Sequence, residues 1–410
     1  MNKIFTLAAI LGSVSSLSAQ SLYDLAPEAD EASSLPLTYV AGVNFGIDDN
    51  PTPLLAGGED NTFYGQAYVG ASFLNQTAQT TLAVGAQIGV IHYFDNLDVP
   101  GVDVDDSSFT VSAYLNWTKR ISDRLRFVSS NSIAYELEPD YSTGFQSQRQ
   151  NGNYLRWSTD NAIGYRWSER FATYTGIRFD GIIFDDIENA DRDTFTLYND
   201  FRYQVSERTV ATLTYRYSDT SGDGFVSDSS NQFILAGIEH RFSPNTTGVF
   251  RGGVQLRDVD SGSDTSNFYG EASFRTQVNE QFSIRAYGRY GVEDFARAIT
   301  DSNNVLAVYS DSDALRLGFT ADYIVSQKLS LTGGVNYVDL GYDDLQATNN
   351  PALAASSLDE ELFNVFVGFD YQVTESLSVN ARYNYEDLSS DAAGRDYDRN
   401  RYSVGARVTF

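Results

Sequence analysis

Several residue types on which other protein classes depend are missing from this chain or scarce in it. It has no cysteine, so disulfide scaffolds, thiolate zinc sites and iron–sulfur clusters are excluded. After the first twenty residues there is no run of about 18 apolar residues, which excludes a helical membrane protein. There are only three lysines and one methionine, against 27 tyrosines and 26 phenylalanines. This composition is typical of strands rather than helices.

Positive charge is also scarce. The chain has 55 acidic residues against 28 Lys and Arg, and its net charge is −27. Nucleic acid is therefore not an expected partner, because a polyanion needs a basic surface to bind. Nearly all of the positive charge is arginine, which suits fixed pairing with carboxylates and solutes.

The first residues have the pattern of a secretory signal. Lys3 provides the positive start, residues 4–14 form an apolar core, and Leu17-Ser18-Ala19 ends on a small residue. A buried N-terminal helix is the alternative. We predict a signal peptide over 1–19, a short flexible periplasmic segment over 20–37, and one domain over 38–410.

That domain alternates between apolar and polar residues. In the last strand Tyr402, Val404, Ala406, Val408 and Phe410 are separated by polar residues or glycine. Such a period of two predicts β-strands with two chemically different faces.

The connections between these strands are of two alternating kinds. Long connections of about 8–20 residues, rich in Asp, Ser, Gly and Asn, fall midway between tight turns, as in repeated β-hairpins. The tight turns are at 75–79, Ser122–Arg124, Ser168–Arg170, Ser206–Arg208, Ser243–Asn245, Asn279–Gln281, Ser326–Lys328 and Thr374–Ser376.

Eight short turns and nine long loops give eighteen strands, too many for side chains to fill the interior of a closed sheet. The apolar face should then meet lipid and the polar face should line water. The predicted fold is an all-β, single closed antiparallel up-and-down transmembrane β-barrel of about 18 strands. Short turns should face the periplasm and long loops the cell exterior.

Aromatic residues gather beside the short turns, as expected for a girdle at the level of the lipid headgroups. A buried tyrosine ladder in a soluble fold is the alternative. The predicted girdle comprises Trp117, Tyr165, Trp167, Tyr203, Tyr323 and Tyr371.

With its signal peptide, amphipathic hairpins and Phe-terminated last strand, the chain resembles Gram-negative outer-membrane β-barrels. Its turns and Tyr-rich strands are most similar to the putative beta-barrel porin 2 group. The resemblance implies location in the cell outer membrane. It also implies that Tyr402, Val404, Ala406, Val408 and Phe410 form the signal read by the barrel-assembly machinery.

Arginines fall on the predicted water-facing side of the strands. They could brace the wall by pairing with acids across strands, or form a charged constriction that filters solutes. Both roles can hold at once. The arginines predicted to line the pore near mid-height are Arg178, Arg216, Arg251, Arg289, Arg316 and Arg382.

Residues suited to enzymatic chemistry are few. The only histidines, His92 and His240, are predicted near opposite rims and cannot share a site. Acidic runs such as Asp103–Asp106, Asp258–Asp260 and Asp359–Glu361 occur in predicted long loops, where they could bind divalent cations or simply form a solvated surface. We predict no enzyme activity, no cofactor and no catalytic or metal residues.

The favoured function is therefore a porin-like channel for passive diffusion of small hydrophilic solutes or ions. The first alternative is a structural or adhesive barrel that acts through its acidic extracellular loops. The second is an outer-membrane hydrolase.

Overall fold

A computed structural model describes the chain from residue 35 to its end, with gaps in the loops. The described residues are 35–53, 61–95, 97, 105–142, 144, 152–185, 191–223, 228–260, 264–293, 297–300, 306–309, 312–342, 345–348, 357–392 and 394–410. The predicted signal peptide and most of the predicted periplasmic segment lie outside these residues.

Twenty-one strands are present among the described residues, and they are numbered here in chain order. The first thirteen are β1 (Leu35–Asp48), β2 (Thr62–Gln76), β3 (Thr80–Tyr93), β4 (Ser107–Arg120), β5 (Leu125–Glu136), β6 (Tyr154–Arg166), β7 (Phe171–Phe184), β8 (Arg192–Ser206), β9 (Thr209–Gly222), β10 (Ser229–Ser243), β11 (Thr246–Val259), β12 (Thr265–Gln277) and β13 (Phe282–Glu293). The others are β14 (Arg297–Thr300), β15 (Leu306–Tyr309), β16 (Ser312–Ile324), β17 (Leu329–Tyr342), β18 (Leu345–Thr348), β19 (Leu358–Gln372), β20 (Leu377–Ser390) and β21 (Tyr397–Thr409).

Eighteen of these strands form one closed antiparallel sheet, so the predicted barrel and its strand number are confirmed. The sheet closes where β1 pairs with β21, from Val40 opposite Thr409 to Asp48 opposite Arg401. The three short strands β14, β15 and β18 form a separate small sheet within two of the long connections. β1 begins at Leu35, three residues before the predicted start of the barrel.

All eight short turns connect strands where predicted. At most of them a side-chain oxygen accepts a hydrogen bond from the backbone N–H three residues later, which reverses the chain locally. Examples are Ser122 Oγ to the amide of Leu125 at 3.1 Å and Thr374 Oγ1 to that of Leu377 at 3.0 Å. The sequence signal at the turns therefore has a direct physical basis.

The long connections are shorter than predicted at several places. Residues 260–264 alone separate β11 from β12, and residues 223–228 separate β9 from β10. The strands continue into the acidic segments: Asp258 is the second-last residue of β11, and Asp359–Glu361 follow Leu358, the first residue of β19. Expected loop acids thus belong in part to the outer ends of strands, where Asp359 and Glu361 are exposed on one face and Glu360 is buried on the other.

The outer face of the barrel is apolar. Phe109, Val404 and Phe410 are 71%, 62% and 70% exposed and point away from the interior, as lipid-facing side chains do. Among the described residues there is no helix long and apolar enough to cross a membrane.

Aromatic rings on the inner face lie flat on glycines of neighbouring strands. An ideal Cβ on Gly42 would be 2.4 Å from Cζ of Tyr68, and one on Gly318 would be 2.0 Å from Cε1 of Tyr287. Only glycine leaves room for such a close approach. The same arrangement pairs Tyr114 with Gly85, Tyr198 with Gly176, and Phe366 with Gly334. These rings lie along the wall rather than across the lumen.

This packing predicts the effect of filling one glycine. Gly318→Ala should push the Tyr287 ring off the wall and cost about 1–3 kcal/mol, the usual range for overpacking. Urea unfolding of the purified barrel measures the cost. Gly252→Ala is the matched control, because the nearest atom to its Cβ would be 3.7 Å away, and it should cost less. Equal destabilisation by the two substitutions would contradict the packing explanation.

Candidate functional site in the lumen

A segment after β5 leaves the wall and enters the interior. We call residues 137–142 and 144 the lumen segment. Leu137 is buried against Tyr64, Ile91 and Tyr93, whose side chains face the interior from β2 and β3. Glu138 then accepts hydrogen bonds from Arg399 at 2.8 Å and from Arg401 at 2.8 Å, both on β21. The segment is thus held by a wall five strands away from the strand it leaves.

Tyr141 carries the lumen segment to the opposite wall. Its hydroxyl donates to Glu386 on β20 at 2.5 Å, and its carbonyl accepts from Arg316 Nη1 on β16 at 2.9 Å. β16 is the ninth strand from β5 in either direction around the eighteen-stranded barrel. Burial and the neighbouring Glu386 raise the pKa of the Tyr141 phenol well above its usual range, so it remains a proton donor.

Inward-facing apolar residues receive Tyr141 near the outer rim. It packs against a buried cluster that includes Val338, Leu340, Leu362 and Leu388. Tyr309 of the small sheet belongs to the same cluster. The inward face is therefore apolar at this height, where Tyr141 of the lumen segment and Tyr309 of the small sheet pack against it.

The far end of the lumen segment is also held. Arg192 of β8 donates to the carbonyl of Gly144 at 3.1 Å. Gly144 has a φ of 80°, in the left-handed region that favours glycine. An ideal Cβ on it would lie 2.6 Å from Nη2 of Arg289. A larger residue at this position would therefore meet both backbone strain and the Arg289 side chain.

Inward-facing ion pairs cover the wall from β6 to β16, which we call the charged wall. Arg178 pairs with Asp160 at 2.7 Å, and Arg251 pairs with Glu271 at 2.8 Å. Asp200 links Arg251 to Arg202 by contacts of 3.6 and 3.9 Å. Opposite charges thus face each other across neighbouring strands, an arrangement that stabilises adjacent side chains, and Asp200 extends the contacts from β8 to β11.

All six arginines predicted to line the pore point inward, but their environments differ. Arg316 is fully buried between Glu293 and the lumen segment, and Arg289 also pairs with Glu293. Arg216 lies 3.9 Å from Glu271 and stacks over the Phe233 ring at 4.9 Å. The side chains of Arg178 and Arg382 are 42% and 58% exposed. Sequence alternation identified the face but not which arginines the lumen segment covers.

The interior face from β1 to β5 is different, and we call it the polar wall. Its side chains between the strand ends are uncharged, and they include Asn44, Gln66, Asn116 and Ser130. These groups bond to one another, as Asn44 does to Gln66 at 3.2 Å and Ser130 to Asn116 at 2.7 Å. The polar wall and the charged wall therefore present different electrostatic environments to the lumen.

The predicted girdle residues lie on the outer face beside the short turns. Tyr165 and Trp167 contact each other with ring centroids 4.7 Å apart, and Trp117 contacts Phe127 at 5.3 Å. Tyr203, Tyr323 and Tyr371 are between 41% and 50% exposed. Tyr402, Val404 and Val408 of β21, and Phe410 directly after it, are exposed on the same face, with Ala406 half-buried between them.

The two histidines are on the outer face at opposite ends of the barrel. His92 Nδ1 lies 2.8 Å from Ser107 Oγ, and His240 Nδ1 lies 2.9 Å from Thr209 Oγ1. In the part of the chain that the structure describes, no third polar group bonds the other ring nitrogen of His92. Among the same residues, no group of three or more His, Cys, Asp or Glu side chains is placed to hold a metal ion.

A closed sheet with lipid-facing apolar residues outside and charged residues inside defines an outer-membrane β-barrel. The family model for putative beta-barrel porin 2 matches residues 186–410, more than half of the chain. The protein belongs to this family, as its turns and strands predicted. It is a porin-like barrel of the cell outer membrane.

Solved structures of other outer-membrane barrels are similar over most of the chain. OccAB4 of Acinetobacter baumannii is 12% identical, with 92% of this chain and 99% of that chain covered and a TM-score of 0.45. OpdK of Pseudomonas aeruginosa, solved with vanillate, is 14% identical, with 91% and 98% covered and a TM-score of 0.46. The siderophore receptor PirA of Pseudomonas aeruginosa is 11% identical, with 92% and 80% covered and a TM-score of 0.42. None of the curated proteins matches the chain.

Proposed function

We propose that the protein is an outer-membrane channel for passive diffusion of small hydrophilic solutes, with the lumen segment as its constriction. One observation supports this proposal above the others. The closed barrel is apolar outside and charged inside, where ion pairs such as Arg178–Asp160 line the lumen. Eighteen strands enclose more space than wall side chains fill.

The two walls should act differently on a passing solute. Charges on one side and neutral polar groups on the other produce a field across the lumen, which orients dipolar solutes. Acidic residues at the outer end should concentrate cations there, mainly at low salt, where screening is weak. Binding of divalent cations by these acids remains a prediction.

Planar-bilayer recording tests the channel. The purified protein should give discrete conductance steps, whereas a folded barrel without conductance would favour the structural or adhesive alternative. Matched substitutions in one ion pair should then move ion selectivity in opposite directions. Arg178→Gln should shift the reversal potential toward cations, and Asp160→Asn should shift it toward anions, because each leaves its partner's charge in the lumen. Identical shifts would reject this pair as part of the filter.

The hydrolase alternative is considered for the contact of His92 with Ser107 at 2.8 Å on the lipid-facing side. A serine nucleophile needs a base within hydrogen-bond reach, and this pair provides one. Within the described residues no third polar group bonds the other ring nitrogen of His92, so the pair lacks the orienting group of a complete triad. Ester hydrolysis abolished by Ser107→Ala would support this alternative.

A further inference from the structure

At one place in the lumen, two arginines share a carboxylate that neither of them bonds directly. Arg382 of β20 and Arg407 of β21 share a single carboxylate, Asp370 of β19. The separations are 3.6 and 3.8 Å, too long for hydrogen bonds. Two guanidinium groups and one carboxylate leave this spot with one excess positive charge.

The guanidinium N–H groups of these two arginines are the second feature of this place. Neither Arg382 nor Arg407 makes a hydrogen bond to the part of the chain that the structure describes. By contrast, Arg178, Arg251 and Arg316 each donate directly to a carboxylate. The Arg382 side chain is 58% exposed, so its planar fork is open to the lumen. Oδ1 of Asp370 is buried without a hydrogen-bond partner, so the carboxylate does not engage either fork fully.

An aromatic face adjoins these arginines. Gly42 of β1 lies directly opposite Tyr68 in β2 and opposite Arg407 in β21. The Tyr68 ring covers Gly42, so its hydroxyl end is directed toward β21. Both Arg407 and Arg382 act electrostatically on that hydroxyl, which has no hydrogen bond within the described residues. The ring is half-buried, with one face on the wall and the other toward the lumen.

We propose that Arg382, Arg407 and Tyr68 form a solute-binding subsite for small monocarboxylates with a flat ring body. This inference rests on the proposed channel function and names a solute class for it. A monoanion balances the single excess charge, and its two oxygens match the arginine fork. The ring body stacks in offset fashion on the open face of Tyr68. The nearby Asp370 disfavours dianions, because a second negative charge would be left unbalanced.

Binding to the folded, detergent-purified barrel tests the subsite without requiring conductance. The probes are benzoate, neutral benzamide and ringless acetate, titrated at neutral pH and followed by saturation-transfer NMR and calorimetry. Benzoate should bind more tightly than either of the other two. Arg382→Gln with Arg407→Gln should weaken benzoate binding about tenfold or more, the effect of losing charge-assisted hydrogen bonds. Tyr68→Leu should weaken benzoate binding while leaving acetate unchanged.

Arg126→Gln is the matched control, since Arg126 also faces the lumen but stands near a short turn, away from Tyr68. It should leave benzoate binding within about twofold of the parent, as expected for a remote, screened charge. Heat-modifiable gel mobility verifies folding of every variant. If the double variant does not fold, Arg382→Gln alone decides, because this side chain is largely exposed.

The subsite is overturned if benzamide binds as well as benzoate, or if a folded Arg382→Gln variant binds benzoate like the parent. Conductance without benzoate binding also rejects the subsite and keeps the channel. Binding that depends on Arg382, in a barrel that does not conduct, supports the subsite and rejects the diffusion function.

Discussion

Replacing residues 138–150 with a shorter Gly-Ser linker should raise the single-channel conductance severalfold. The reason is geometric: Glu138 and Tyr141 are held by β21, β20 and β16, so the chain between them occupies the outer part of the lumen. Conductance depends on the open cross-section at the narrowest level. Bilayer recordings of the parent and the variant, both verified as folded, measure the change.

A double substitution that keeps the chain length tests whether the lumen segment must be bonded to the wall to hold the current at one level. Glu138→Gln with Tyr141→Phe removes the charge that pairs with Arg399 and Arg401 and the donor to Glu386, but keeps the chain length. We expect frequent current fluctuations between levels, because the segment loses its anchors at Glu138 and at the Tyr141 hydroxyl, while Arg316 and Arg192 still bond its backbone carbonyls. Arg399 keeps its pair with Asp48, so the barrel itself should remain folded.

Two controls apply to these recordings. Tyr385→Phe removes a tyrosine hydroxyl from the outer face of β20, the strand that carries Glu386. This hydroxyl donates to Asp387 and not to the lumen segment, so the substitution should leave the current steady. A Gly-Ser replacement of residues 224–227 tests the general effect of altering a long connection. If the 138–150 replacement leaves conductance unchanged in a folded barrel, the lumen segment is not the constriction.

The sequence predicted the wall well because each of its signals is local. Alternation depends on residues two apart, and the turns depend on a Ser, Thr or Asn oxygen bonding an amide three residues later. Closure of the sheet followed from the number of hairpins. The wall could therefore be derived without any long-range contact.

The lumen segment could not be predicted in this way. Its contacts join Tyr141 to Arg316 and Glu386, and Glu138 to Arg399, at separations of 175, 245 and 261 residues. The residues from Leu137 to Ser142 show no repeating pattern of apolar and polar side chains. The sequence therefore predicts only another polar loop there. Inward apolar residues such as Val338 and Leu362 are the one signal that could have indicated a packed interior near the outer rim. They interrupt the alternation expected of a water-filled wall.

Deleting Phe410 should reduce the amount of assembled barrel in the outer membrane severalfold and leave unfolded chain in the periplasm. In the folded protein the Phe410 side chain makes few contacts: its ring is 70% exposed and stacks on Tyr39 with centroids 6.0 Å apart. Its backbone exchanges two hydrogen bonds with Tyr39, of 2.8 and 3.0 Å. Losing these at a strand end should cost about 1–3 kcal/mol.

The experiment compares assembly with stability in the same variants. Refolded, purified protein without Phe410 should unfold at a urea concentration close to that of the parent, while cell fractionation shows the loss of assembled barrel. Tyr39→Ala is the matched control, because it removes the same ring contact from the other side and leaves the terminal Phe in place. It should assemble nearly as well as the parent. If Tyr39→Ala loses as much assembled barrel as the deletion, the contact between β1 and β21 matters rather than recognition of the last residue. If the deletion assembles normally, Phe410 is not part of an assembly signal.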